Sequence, residues 1–214
     1  MNISKSLILI GGSDSSGFAG IQTDMEVCRA FQLEPKSVVT TITAQSSQEC
    51  FESFPVEGRA ISSQLKAIQR DPIPTAAKIG LIPNLEALES MLTDLANNVA
   101  TVFDPVWRSS SDRLLVEDGV IEKAAKDLFP RVTVLTPNIL EAELLLQRSL
   151  DDKKSIENGA RDLLALGCKS IVIKGGHSSD NDIQSYFLSD EEGFWFTSTR
   201  KPYGFLFAGN ESLR

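Results

Sequence analysis

Short apolar runs alternate along this chain with longer stretches in which apolar residues recur at helical spacing. Leu7-Ile8-Leu9-Ile10, ended by Gly11-Gly12, is a continuous run of the kind found in a strand buried on both faces of a parallel sheet. A polar turn, Ser13-Asp14-Ser15-Ser16-Gly17, follows, and 18–31 then carries Ile21, Met25, Cys28 and Ala30 among polar residues, with Asp24 and Glu26 in its early part. That spacing predicts a helix whose N-terminus meets a glycine-rich loop. Strand-like runs recur at 37–42, 76–79, 100–103, 132–135 and 170–173, and helical stretches at 58–70, 84–95, 116–128, 138–147 and 154–166 lie between them. Because right-handed crossovers put helices on the sheet faces, the alternation predicts an α/β fold: a mostly parallel sheet flanked by helices on both faces. Near the end, 182–188 and 193–198, joined by Ser189-Asp190-Glu191-Glu192, predict an antiparallel hairpin with a charged turn. No linker, repeat or low-complexity stretch divides the chain, so residues 1–214 are expected to form one domain.

Composition narrows the chemistry. A hydrophobic fraction of 42% over 214 residues can fill one substantial core. Lys+Arg 21 against Asp+Glu 29 gives a net charge of -8, which argues against a nucleic-acid partner. His177 is the only histidine, so sites needing two imidazoles are excluded and a Ser/His/Asp triad would have to recruit that residue alone. Cys28, Cys50 and Cys168 are an odd, widely spaced set without a CxxC pair, and reduced thiols are expected. The first apolar run is shorter than a secretory core of roughly 7–15 residues or a membrane span of about 20. The expected compartment is the cytoplasm.

In open parallel sheets, ligands bind at the carboxyl ends of the strands, and the candidate groups cluster there. The loop from Gly12 to Gly20 has the glycine spacing of a phosphate loop, but Phe18-Ala19 stand where Lys and Ser or Thr are needed, and the dinucleotide fingerprint is not satisfied. Its glycines suit either a structural turn or close approach of backbone to a small ligand, with Asp24 able to accept from an amino group. Gln45, after Thr43-Ala44, can pair its amide with the edge of a heterocycle. Asp104, before Pro105, can hold a water or Mg2+ near phosphates or start a turn. Thr136-Pro137-Asn138 opens the next helical stretch, where Glu141 and Glu143 suit a hydrated Mg2+ or the helix dipole. Lys174, beside Gly175-Gly176-His177, is placed to meet anionic oxygens, and His177 reads as a loop residue.

In their order these segments resemble the hydroxymethylpyrimidine/phosphomethylpyrimidine kinases of thiamine biosynthesis, members of the ribokinase-like superfamily. The resemblance rests on Gly-Ser-Asp-Ser-Ser-Gly-Phe-Ala-Gly-Ile-Gln-Thr-Asp at 12–24, Thr-Ala-Gln at 43–45, Lys-Ile-Gly at 78–80, Val-Phe-Asp-Pro-Val at 102–106, Leu-Thr-Pro-Asn at 135–138 with Glu141, and Val-Ile-Lys-Gly-Gly-His at 172–177. It implies ATP as phosphoryl donor and an aminopyrimidine alcohol as acceptor. Gln45 would pair with the aminopyrimidine, Gly12, Ala19 and Asp24 would help enclose it, and Val106 would pack on the ring. Asp104 and Glu141 would organise Mg2+ and its waters, Lys174 would neutralise charge on the ATP phosphates, and Asn138 would help hold that region. Related kinases acting on a pyridoxal-like alcohol share most of these motifs, and Gln45 favours the aminopyrimidine.

One departure accompanies the match. Such kinases carry a Gly-Thr-Gly-Cys segment at a helix start after the terminal hairpin, and none occurs here; 205–214 read Phe-Leu-Phe-Ala-Gly-Asn-Glu-Ser-Leu-Arg. The expectation is a C-terminally shortened version of the fold, with either an altered tail or a catalytically silent pyrimidine-binding relative behind it. No catalytic residue is assigned. An uncovered apolar face on the last strands leads to the further expectation of a homodimer or larger assembly.

Overall fold

In the computed structural model, which describes residues 6–46, 48–70, 74–109, 113–175 and 182–199, the apolar runs lie side by side in one sheet. Its strands are β1 (Ser6–Asp14), β2 (Glu34–Gln45), β3 (Cys50–Pro55), β4 (Ala76–Ile79), β5 (Ala100–Phe103), β6 (Val134–Leu135), β7 (Ser170–Ile173), β8 (Asp182–Ser189) and β9 (Gly193–Thr199). Their order is β3-β2-β1-β4-β5-β6-β7-β8-β9. From β2 to β7 neighbouring strands are parallel, whereas β3 at one edge and β8 and β9 at the other pair antiparallel. The chain leaves β1 toward β2 on one side and later returns to β4 on the other. A crevice opens beyond the strand ends at such a reversal.

The helices are α1 (Gly20–Ala30), α2 (Gly58–Ile68), α3 (Leu85–Asp94), α4 (Val120–Lys123), α5 (Ile139–Leu146) and α6 (Lys153–Leu164), with a π-helical turn at Ala124–Leu128 and a 3-10 turn at Phe129–Arg131 continuing α4. They divide unevenly between the faces. Helices α2 to α6 send Ile61, Leu65, Leu88, Met91, Val120, Ala142 and Leu163 onto Ile8, Ile10, Ile79, Phe103, Leu135 and Ile171 to make the main core. On the opposite face Ile21 and Cys28 of α1 cover Leu9 in a much smaller cluster. The α/β fold with helices on both faces is therefore present, but among the described residues one helix alone serves the second face.

This asymmetry explains where the burial of strands departs from expectation. β1 is buried along nearly its whole length, but β5 alternates exposed and buried positions because Phe103 enters the main core while Val102 points to the open face. The same face carries Val134, Val172 and Phe187, with Phe194 and Phe196 46% and 39% exposed. The apolar surface expected on the last strands exists among the described residues.

Other boundaries moved for local reasons. β1 continues through Gly11-Gly12 to Asp14, with a register shift between the glycines, so the pair lies inside the strand rather than ending it. Cys50, outside the strand-like runs of the sequence, begins β3, an edge strand whose exposed Phe51 and Phe54 give no clear alternation; its partner β2 decides its conformation. The helix expected from 116 begins at Val120, after Gly119 takes the left-handed conformation. All three cysteines are free and buried. His177, Gly176 and the tail from residue 200 onward lie outside the described residues.

Candidate active site

Two groups of side chains gather at the carboxyl ends of the parallel strands. The first is a loop built on Asp14, the last residue of β1. Its carboxylate is 4% exposed, accepts from the Ser16 N–H at 2.8 Å and the Ala19 N–H at 2.9 Å, and also accepts the Ser16 hydroxyl. An Asp followed by short polar residues and glycine is the local pattern for this kind of side-chain-to-backbone turn. Gly20 then starts α1 at φ +64°, so close to the Gly12 carbonyl that a Cβ there would collide with it. Glycine is required at that point, and the contact holds Gly12 and Ala19 together at the head of α1.

The loop is fastened to the end of β2. The Ser15 hydroxyl donates to the Gln45 carbonyl and accepts from its N–H, both at 2.9 Å, and Thr43 Oγ1 donates to the Ser13 carbonyl at 3.1 Å. Gln45 is thus held by its backbone, and its side-chain amide makes no hydrogen bond among the described residues. Gly12, Ala19 and Gln45 are brought to one place.

The second group is charged. Asp104, just past β5 and 6% exposed, accepts from Lys174 Nζ at 2.6 Å and from Thr136 Oγ1 at 3.4 Å. Lys174 sits just past β7, its N–H bonded to the Pro137 carbonyl at 2.8 Å, which sets it beside Asn138. Asn138 and Glu141 form a capping box at the start of α5: Asn138 Oδ1 accepts from the Glu141 N–H and Glu141 Oε2 accepts from the Asn138 N–H, each at 2.8 Å. Burial pushes the Glu141 carboxyl up to about 7, against the opposing pull of Lys174 and the Asn138 N–H, with Asp104 adding to the rise. For Lys174 burial acts downward, but the negative charges of Asp104 and Glu141 outweigh it and raise its pKa. Val106, half-buried at this end, packs against the main core and donates its N–H to the Asp104 carbonyl at 2.8 Å.

Asp24, expected to accept from an amino group, already accepts from one inside the protein. Both its oxygens accept from Lys78 Nζ, at 2.8 and 2.7 Å, because α1 packs on β1, the neighbour of β4, and the long Lys78 side chain reaches across to it. Burial raises the pKa of Asp24, partly offset by Lys78. The same Nζ stands 3.8 Å from Asp104. Asp24, Lys78, Asp104 and Lys174 therefore alternate in sign from one group to the other.

Lys78 and Asp14 carry no site role in the sequence reading. A lysine between Ala77 and Ile79, both in the main core, was the available signal for the first, and the Asp-Ser-Ser-Gly turn pattern for the second. Among the described residues no group of three His, Cys, Asp or Glu side chains could hold a metal ion by itself, and no helix is long and apolar enough to cross a membrane.

Residues 14–204 match the family described as phosphomethylpyrimidine kinase. The hydroxymethylpyrimidine/phosphomethylpyrimidine kinase of Haemophilus influenzae is 34% identical over 202 residues, which cover 92% of this chain and 75% of that protein. The kinase of the same description from Aquifex aeolicus is 33% identical over 80% of this chain and 68% of its own. Among solved structures, the phosphomethylpyrimidine kinase of Clostridium difficile 630 superposes with a TM-score of 0.79 at 31% identity, covering 89% of this chain and 83% of that one. An ADP complex of Bacillus subtilis pyridoxal kinase does so with a TM-score of 0.80 at 25% identity, covering 93% of this chain and 77% of that one.

Proposed function

The chain belongs to the phosphomethylpyrimidine kinase family, and from that premise we propose that it transfers a phosphoryl group from ATP to 4-amino-5-hydroxymethyl-2-methylpyrimidine or its monophosphate, a step of thiamine biosynthesis. What carries the reading is the contact of Lys174 with Asp104 at 2.6 Å, beyond the ends of β7 and β5 with β6 between them, in the same sheet whose β1 and β2 ends carry the loop that holds Gln45. A donor amide for a heterocycle and a buried cation for phosphates are the two things such a transfer needs from the protein.

In this reading the Gln45 amide pairs with the aminopyrimidine, the backbone around Gly12 and Ala19 closes on it, and Val106 packs against the ring. Lys174 extends its ammonium group to the nucleotide phosphates and neutralises the charge they develop, and Asn138 keeps the start of α5 in register with it. Asp24 acts through Lys78 rather than on the pyrimidine. Two carboxylates beside a phosphate site suit Mg2+, which keeps several waters and takes one or two protein oxygens. Asp104 and Glu141 would hold that ion, and it would supply further charge neutralisation.

Likeness to the Bacillus subtilis pyridoxal kinase supports a second reading, phosphorylation of a pyridoxal-type alcohol; the free amide of Gln45 favours the aminopyrimidine. A silent pyrimidine-binding protein is the third. A coupled ADP-release assay with both alcohols, run beside calorimetry of each, separates them: turnover with the aminopyrimidine is the expected result, and binding without turnover would overturn the kinase. The open apolar face bearing Val102, Phe194 and Phe196 supports a homodimer or larger assembly. A monomeric mass by light scattering would refute that. Three buried, unpaired thiols agree with a cytoplasmic location.

A further inference from the structure

A phosphate that approaches Lys174 competes with Asp104, which accepts from its Nζ at 2.6 Å, for the same ammonium charge. Both groups are largely buried, with side-chain exposures of 17% and 9%, so charge that Lys174 lends to a phosphate leaves Asp104 less fully compensated in a site that water screens poorly. A second cation already stands on its other oxygen: Lys78 Nζ lies 3.8 Å from Asp104 Oδ2, while Lys174 occupies Oδ1. Lys78 cannot wander, because Asp24 holds it with both oxygens, at 2.7 and 2.8 Å. We propose that Lys78 is a positioning residue for phosphoryl transfer, a reserve counter-ion that keeps Asp104 compensated and in place when Lys174 turns to the nucleotide.

The idea rests on the kinase reading and adds a part to it. Asp24 belongs to α1, which begins at the substrate loop, and Asp104 belongs to the phosphate end, so Lys78 also ties the two ends together through one ammonium group. A lysine suits this task because its three donors can be divided between two carboxylates.

The test compares wild type with Lys78→Met, Lys78→Arg and the charge-balanced pair Asp24→Asn with Lys78→Met, measuring MgADP affinity by calorimetry, kcat and KM by ADP release, and the thermal midpoint. Lys78→Met is expected to weaken MgADP binding roughly tenfold and to lower kcat by about 30-fold or more, while KM for the aminopyrimidine changes less than about threefold. Lys78→Arg should recover most of both. The double variant should regain the thermal midpoint but keep the nucleotide defect, since Asp104 still lacks its second cation. Two results would overturn the proposal: a folded Lys78→Met with unchanged MgADP affinity and kcat, or a double variant restored in both, which would make Lys78 a partner of Asp24 alone. Should Lys78→Met fail to fold, the charge-balanced double variant and Lys78→Arg decide the question by the same readouts. A wild type that binds MgADP without turnover defeats the kinase reading, and the affinities still judge Lys78.

Discussion

At the end of β1 one buried carboxylate, Asp14, organises a loop by bonding groups two and five residues away. At the charged end the groups that meet, Lys174 with Asp104 and Lys78 with Asp24, are 70 and 54 residues apart. The first arrangement is a local turn that a short peptide can encode in its own order of residues. The second exists only because β1, β4, β5, β6 and β7 lie in sequence across a sheet. They also differ in kind. The loop is stitched by backbone donors and leaves the Gln45 amide unpaired among the described residues, whereas the far end stores opposite charges in a half-dry setting, where they act more strongly than in water. In the proposed reading a neutral ring would be met by shape and hydrogen bonds, and phosphates by charges held in reserve.

Removing Lys174 probes the charged end most severely. Lys174→Met is expected to lower kcat by roughly 100- to 1,000-fold, the range for loss of one preorganised electrostatic partner, while aminopyrimidine binding by calorimetry stays near wild type. Loss of both together would show the two ends to be one cooperative unit.

Asp14→Ala tests the opposite end. Three donors lose a charged acceptor, so stability should fall by about 4 kcal/mol and aminopyrimidine binding should weaken more than MgADP binding. Chemical denaturation and paired calorimetry measure the two effects, and equal weakening of both ligands would dissolve the contrast.

Glu141 gives the phosphate end a pH signature. Its carboxyl, raised from 4.5 to about 7, binds its proton more tightly folded than unfolded, so the native state gains relative stability below that window and loses it as pH rises through it. The loss for the unliganded protein is at most about 3 kcal/mol, and Glu141→Gln, which keeps the acceptor for the Asn138 N–H, should flatten the profile between about pH 4.5 and 7. Denaturation midpoints across that range read it directly. An unchanged slope in the variant would assign the pH dependence elsewhere.

The smallest effect is expected at Gln45. Gln45→Leu removes one polar pairing without disturbing the backbone bonds to Ser15, and should raise KM for the aminopyrimidine about tenfold with kcat little changed. A larger fall in kcat would place the amide closer to the reacting group than the loop geometry suggests.

Much of this was legible before any coordinates. Short apolar runs between helical stretches announce the parallel sheet, and Asp104, Asn138, Glu141 and Lys174 announce themselves because each follows a strand. β3 did not, since an edge strand with outward-facing Phe51 and Phe54 lacks the alternation that one buried face imposes. Asp24 was visible but its partner was not: nothing in the order of residues says that Lys78 will reach from β4 to α1. The uneven distribution of helices, with α1 alone on the second face among the described residues, was equally hidden, because helical periodicity reports that a face is apolar and not which side of the sheet it will cover.

The sequence by itself determined the elements other than β3, the local turn at Asp14, the capping box of Asn138 and Glu141, and the family. These depend on backbone preferences and hydrogen bonds over a few residues. The tertiary structure alone decided which charges meet. Coulomb interaction and desolvation depend on distance and burial, and only the stacking of strands brings Asp24, Lys78, Asp104 and Lys174 into one alternating chain.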